Sequence, residues 1–245
     1  MTDPTVLAAA GQVGEGFFKE RDVGDLCQAQ PQHLFCFDWA RENIDRFGRP
    51  TVEHLQIVVP AIVIGFLIAF ALALLAHQRR WLQTSLLAAT GVLYTIPSIA
   101  FFFLLLPLTG LGRDTAIIVL AAYTLQMIFR NTILGLNNVP ASVKDAALGM
   151  GLTPRQILWK VELPLAIPEI IAGLRVAVVS TIAIATLAVL ISAGGLGTQM
   201  YGSNLNFPTS IVIAAAIVIV MALSFDAALL AVQRLTTPWR RAAQQ

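Results

Sequence analysis

The chain has 245 residues, 57% of them hydrophobic and only 12% charged, with a mean hydropathy of +0.75. Soluble domains carry about twice that share of charge, so a soluble globular protein is excluded and an all-α integral membrane protein is expected. Sixteen basic side chains against 14 acidic ones leave a net charge of +2, which excludes the strongly basic surface used to bind nucleic acid.

Residues 1–50 read as an extracytoplasmic tail. The first 54 residues carry five basic and nine acidic side chains, a balance that suits translocation, although Arg41, Arg46 and Arg49 stand close to the first span. Val6 to Ala10 is too short for a signal-peptide core and lacks a basic n-region, so the first span serves as the insertion signal. Cys27 and Cys36 are the two cysteines. They can pair if the tail is extracytoplasmic, and stay reduced thiols in the opposite topology. Phe37, Ala40, Ile44 and Phe47 share a helical face that Asp38, Arg41, Glu42 and Asp45 avoid, the pattern of an interfacial helix ended by Gly48 and Pro50. Thr51 then caps the first span, with Glu53 in its first turn.

Five spans follow, each long enough for a hydrocarbon core of about 30 Å. Residues 55–76 and 82–106 are uncharged, whereas 115–136 holds Arg130, 170–193 holds Arg175 and 208–232 holds Asp226. An odd number places the termini on opposite sides. Arg79, Arg80, Lys144, Arg155, Lys160, Arg234, Arg240 and Arg241 gather on one side and Arg113 stands alone among the short loops on the other. The positive-inside rule therefore puts the N-terminus outside and residues 236–245 in the cytoplasm, with residues 51–235 as the transmembrane domain. Pro97 interrupts the second span, where it must kink or unwind the helix and free backbone polar groups from Tyr94 to Ser98 to line a cavity.

The 137–169 connection is polar and has its own helical signals. Ser142 stands three residues before Asp145 and Thr153 three before Gln156, each a capping box, for short helices at about 143–149 and 154–162. Pro154 takes the first position of the second helix and Pro164 stops it. Gly151 makes the bend between them. Ala146 and Ala147 let another protein approach the backbone closely, and Asp145 puts negative charge at the positive end of the first helix.

No phosphate-binding loop, dinucleotide-binding glycine pattern or metal-spaced His/Cys cluster occurs, so this chain is expected to bind no cofactor and no metal, and to be no enzyme. His33, His54 and His77 are scattered near span boundaries and read as solvated. Ser98, Ser180 and Ser192 have no base partner and suit interhelical hydrogen bonding.

Read as D-A-A, three residues, G, nine residues, V-x-L-P, residues 145–164 resemble the E-A-A loop of the permease subunits of bacterial binding-protein-dependent ABC importers. Asp145 replaces the usual Glu and Val161 the usual Ile. Thr51-Val52-Glu53-His54-Leu55, Tyr94-Thr95-Ile96-Pro97-Ser98, Arg130-Asn131-Thr132, Gly149-Met150-Gly151 and Ala193-Gly194-Gly195-Leu196-Gly197 are similar to the osmoprotectant branch, which imports glycine betaine, choline or carnitine. The resemblance covers about residues 51–235 and implies a type I importer permease fold of about five transmembrane helices. It also implies partners: two cytoplasmic ATPase subunits that hold the ATP and Mg, a second permease, identical or different, and an external solute-binding protein, all assembled in the lipid of the cytoplasmic membrane.

On that resemblance, Asp145, Ala146, Ala147, Gly149, Gly151, Val161, Leu163 and Pro164 belong to a coupling helix seated in the ATPase. The pathway lies between two permeases, with Tyr94, Pro97, Ser98, Arg130 and Asn131 as its candidates. Tyr94 offers a π face to a quaternary ammonium; the alternative is a proline kink packed within the bundle. Arg130 either snorkels to the headgroups or joins Asn131 in a polar link to the loop. Arg175 and Asp226 are placed near the inner boundary, where they stand separately or pair. Gly194, Gly195 and Gly197 make a tight turn and admit a partner. Rival readings are an amino acid or sulfonate permease, a secondary transporter or channel, for which inverted repeats and paired acidic residues are missing, and a membrane-embedded enzyme, for which no nucleophile has a base.

Overall fold

A computed structural model describes residues 35–201 and 208–237, so Cys27, His33, Arg240 and Arg241 lie outside the described residues. Helix α1 (Phe37–Asn43) passes through a 3-10 turn (Ile44–Phe47) into α2 (Gly48–Ala76), and together they make one run of 40 residues. Gly48 and Pro50 therefore open the long helix and do not end a short one. Thr51 is not a cap but an internal residue whose hydroxyl donates to the Phe47 carbonyl at 2.7 Å, which moves Glu53 out of the first turn.

The face expected to rest on lipid is also different. Phe37 is 81% exposed and Ile44 is exposed, while Cys36, Trp39 and Phe47 are buried. The docking of α1 on the far end of the chain sets this face: the Cys36 N–H donates to the Thr209 hydroxyl at 3.0 Å. Cys36 is disulfide-bonded.

The second span is broken at Pro97 into α3 (Arg80–Thr95) and α4 (Ser98–Thr109), which meet at 97°. Proline pushes the residue before it out of the helical region, and Ile96 is extended at φ −66°, ψ 127°. Beyond lie α5 (Arg113–Asn137), α6 (Ala141–Gly149), α7 (Pro154–Ile157), a π-turn (Leu158–Glu162) and α8 (Leu163–Ile184). A 3-10 segment (Ala185–Ile191), α9 (Gly197–Tyr201) and α10 (Pro208–Thr236) complete the described chain.

Among the described residues four helical runs are long and apolar enough to cross a membrane, and the bent pair, taken as one span, supplies a fifth pass. The pair crosses the whole bundle: α3 starts beside the C-terminal end of α2, yet Arg113, which opens α5 after α4, donates to Gln56 near the start of α2 at 2.7 Å. Similarly, Gln233 at the end of α10 reaches the Pro168 carbonyl at 3.0 Å, beside the short helices. Five passes thus leave the two ends of the described chain at opposite ends of the bundle.

α5 is the central element, packed on α2 and α8, with α3 and α4 on its other flank and α10 on α8. Small residues let these helices approach, as is usual where lipid gives no hydrophobic drive to association. A Cβ on Gly173 of α8 would sit 2.4 Å from the Asn131 Cβ of α5, and one on Gly135 would sit 3.1 Å from the Ala166 carbonyl. Phe102, Phe129, Leu120 and Ile182 fill the interior, whereas Leu67, Leu75, Leu104 and Ile219 face outward, as the spans of a membrane protein require.

Candidate functional site

The two short helices at one end of the bundle are built by local signals, some expected and some not. The second carries a complete capping box: Gln156 N–H donates to the Thr153 hydroxyl, the Gln156 side chain accepts from Thr153 N–H at 2.8 Å, and Pro154 occupies the first turn. The first has none. Pro140 stands at its N-cap and Ser142 lies inside it, so Asp145 falls in the second turn and gains little from the helix dipole. Gly151, at φ +82°, closes α6 with a Schellman motif, in which Leu152 N–H bonds the Ala147 carbonyl at 3.2 Å and Gly151 N–H bonds that of Leu148 at 2.9 Å.

Pro164 does not stop the second helix. It sits in the first turn of α8, and the helix passes it through the π-turn, with Leu163 N–H bonding the Leu158 carbonyl five residues back. The wider turn accommodates a ring that would clash with the Lys160 carbonyl in an α-helix. Leu163 is buried with Leu136, Ala166 and Ile170 and anchors the loop to the bundle.

Ala147 is only 1% exposed, so its small side chain serves close packing within this chain and is not offered to a partner. Asp145, Ala146, Gly149 and Gly151 are exposed and Val161 and Pro164 half-buried. Beside them Leu148, Met150 and Trp159 are exposed large apolar residues, Met150 at 73%. The sequence reading missed these three. The available signal was their presence in a polar loop carrying Lys144, Arg155 and Lys160.

The same end holds a buried polar cluster that sequence reasoning missed. Glu162 Oε2 lies 2.5 Å from His77 Nε2, its Oε1 lies 2.7 Å from Lys144 Nζ, and the His77 and Glu162 side chains are each 7% exposed. At the opposite end of α2 from His77, His54 is fully buried, with Nε2 3.0 Å from the Ile182 carbonyl. Both histidines were expected in solvent; their boundary positions in sequence lie where helices converge.

At the break in the second span, Tyr94 is exposed and meets Tyr123 edge-on at 5.7 Å, and Phe101 meets the other side of Tyr123 at 5.8 Å. The Tyr123 hydroxyl donates to the Ile96 carbonyl, and the Pro97 carbonyl accepts from Phe101 N–H at 2.9 Å. The Ile96 N–H, the Ile96 carbonyl and the Pro97 carbonyl are therefore partnered within the chain. Ser98 is half-buried and Pro97 exposed. Arg130 is exposed, while the Asn131 amide donates to the Met127 carbonyl at 2.8 Å and packs against Gly173. No polar link from either to the 142–164 loop forms among the described residues.

Arg175 and Asp226 form a two-point ion pair, both bonds 2.7 Å, on a cavity of about 530 Å³ lined also by Val179, Ser180 and Leu223. Arg175 is twelve residues beyond Leu163, about 18 Å along the axis. The pair therefore stands about three helical turns from the short-helix end of α8, partly exposed on that cavity. Gly194 and Gly195 turn with positive φ, and the neighbour they admit is this chain's own Glu53, which accepts from Gly195 N–H at 3.4 Å.

Comparison with known proteins agrees with this architecture. Residues 60–240 match the family described as binding-protein-dependent transport system inner membrane component. The choline transport system permease protein OpuBB of Bacillus subtilis (strain 168) is 34% identical over 77% of this chain and 87% of its own. The osmoprotectant import permease protein OsmW of Salmonella typhimurium is 36% identical over 80% and 94%, and the carnitine transport permease protein OpuCB of Listeria monocytogenes is 36% identical over 81% and 91%. The fold is shared with a chain of the inward-facing MetNI methionine ABC transporter, with a TM-score of 0.70 at 22% identity over 78% of this chain and 96% of that one. With its five passes and its loop of two short helices, the chain belongs to the binding-protein-dependent transport system inner membrane components, the membrane-spanning permeases of ABC importers.

Proposed function

We propose that this chain forms the translocation pathway of an ATP-driven importer for an osmoprotectant, a quaternary ammonium compound such as glycine betaine, choline or carnitine. The observation that carries the mechanism is the pair of short helices at one end of the bundle, which presents Leu148, Met150 and Trp159 to the outside. Exposed apolar side chains beyond the membrane-spanning part call for a protein cover. A cytoplasmic ATPase subunit is the cover proposed, one copy under each of two permeases, with ATP and Mg held by the ATPase. The solute class rests on the names of relatives that match four-fifths of the chain.

In this reading the end bearing Lys144, Arg155 and Lys160 is cytoplasmic, residues 1–50 are extracytoplasmic, and an external binding protein delivers the solute to a pathway between this permease and a second one. Asp145, Ala146, Gly149 and Gly151 lie in the ATPase contact, while Ala147, Leu163 and Pro164 hold its shape. Closure of the ATPase pair pushes on α6 and α7 and so on α5 and α8, to which they are joined. Tyr94, Pro97 and Ser98 at the broken span, with Arg130 and Asn131, are the proposed pathway side; the exposed ring of Tyr94 gives a cation a face to pass. The test is purification of the tagged chain in mild detergent after co-expression with its ATPase and binding protein, followed by uptake in proteoliposomes. Retention of the ATPase and ATP-dependent uptake of choline, betaine or carnitine is expected. Uptake of an amino acid or sulfonate in their place would overturn the solute class.

A further inference from the structure

We infer that Glu162, clamped between Lys144 and His77, is the joint that makes the short-helix loop move as one body with the bundle. This rests on the coupling role proposed above. The backbone ties the loop to the bundle in two places, residues 138–140 before α6 and the π-turn before α8. The first is not helical and can swivel, whereas α7 runs through the π-turn into α8 as one continuous helix. A push on the loop would then turn α6 against the continuous α7–α8 helix and leave the neighbouring spans behind.

Glu162 removes that freedom because three separate elements meet on its two oxygens. It ends the π-turn, Lys144 comes from α6, and His77 stands just beyond α2. The His77 and Glu162 side chains are almost wholly enclosed, and Lys144 is about a third exposed. A carboxylate so buried loses heavily if either partner withdraws, and the charge-assisted bonds that hold it are short and directional. The joint therefore resists opening while the loop is pushed.

The connection continues past His77. Its carbonyl accepts from the Gln83 side chain at 2.6 Å, as does that of Ala76 at 3.3 Å, and Gln83 in turn accepts from Asn137 at 3.1 Å. Lys144, Glu162, His77, Gln83 and Asn137 thus link α6 and the π-turn to the end of α2, the start of α3 and the end of α5. α2 and α3 have no covalent attachment to the loop. Glu162 is a positioning residue: it touches neither solute nor nucleotide.

The test uses the full assembly in proteoliposomes and reads two quantities, solute moved per ATP hydrolysed and ATPase retained on purification. Glu162→Gln keeps the shape and removes the charge, while Lys144→Met changes the most exposed member and is the variant least able to disturb folding. Both are expected to retain the ATPase and hydrolyse ATP while the transport ratio falls at least fivefold, with Lys144→Arg restoring it. A mere fold staple would lower assembly yield, transport and hydrolysis together; an unchanged ratio in Lys144→Met overturns the joint. Failure of the wild-type chain to retain an ATPase overturns the coupling reading itself, and the joint with it.

Discussion

The hydroxyl of Tyr123 on α5 is bonded to the carbonyl of Ile96, the residue at which the second membrane pass turns through 97°. A proline break leaves backbone groups without helical partners, and in a membrane each such group is costly. Tyr123 answers one of them from a neighbouring helix, so the bend is a shared property of α3, α4 and α5.

Tyr123→Phe should therefore weaken the bend while preserving the ring contacts with Tyr94 and Phe101. Leaving a part-buried carbonyl unpaired costs about 1 kcal/mol or more, and the melting temperature of the detergent-purified chain should fall by a few degrees. A melting curve identical to wild type would show that the hydroxyl is dispensable.

The α5–α8 crossing gives a second expectation. Gly173→Ala puts a methyl group against Asn131 at a site with no room for it, and overpacking of this kind costs about 1–3 kcal/mol. Thermal stability should drop, and Asn131→Gly in the same chain should recover part of it. Equal losses with and without the second change would mean that the crossing is not where the strain sits.

Much of this architecture was legible in the sequence because it follows from local chemistry. Uncharged runs marked the spans, Thr153, Pro154 and Gln156 marked a helix start, and Gly151 marked a bend. Elements whose outcome depends on a distant partner were not legible. Thr51 has a capping residue's chemistry, yet the chain upstream was already helical. Pro164 is a helix breaker only if no wider turn precedes it. Ala147 reads as a contact position by size alone, and its burial is set by the fold of the whole loop. Glu162 occupies the unspecified position of V-x-L-P, and nothing local foretells that His77, 85 positions earlier, closes on it.

Arg175 and Asp226 should behave as one unit. Arg175→Met strands a carboxylate inside the membrane-spanning bundle, where unpaired charge is rare and expensive, so assembly in the membrane should suffer more than in the double variant Arg175→Met, Asp226→Leu. Membrane-extracted yield and melting temperature of the two variants decide this. Similar damage in both would assign the loss to packing around the 530 Å³ cavity and not to charge.

The exposed tip of the loop separates two effects that the sequence alone would merge. Leu148→Asp and Met150→Asp alter side chains that already face outward, so neither should shift the melting temperature of the isolated chain by much, whereas each should abolish retention of the ATPase on purification. Ala147→Glu forces a charged side chain into a site with no exposure to speak of, and should lower stability of the isolated chain before any partner is considered. Gly151→Asp is intermediate: a side chain at φ +82° costs about 1–2 kcal/mol, opening the Schellman closure while leaving α8 intact. Melting temperature and ATPase retention, read together on all four variants, separate a contact surface from the scaffold beneath it. Retention of the ATPase by Leu148→Asp and Met150→Asp would place the contact elsewhere on the chain.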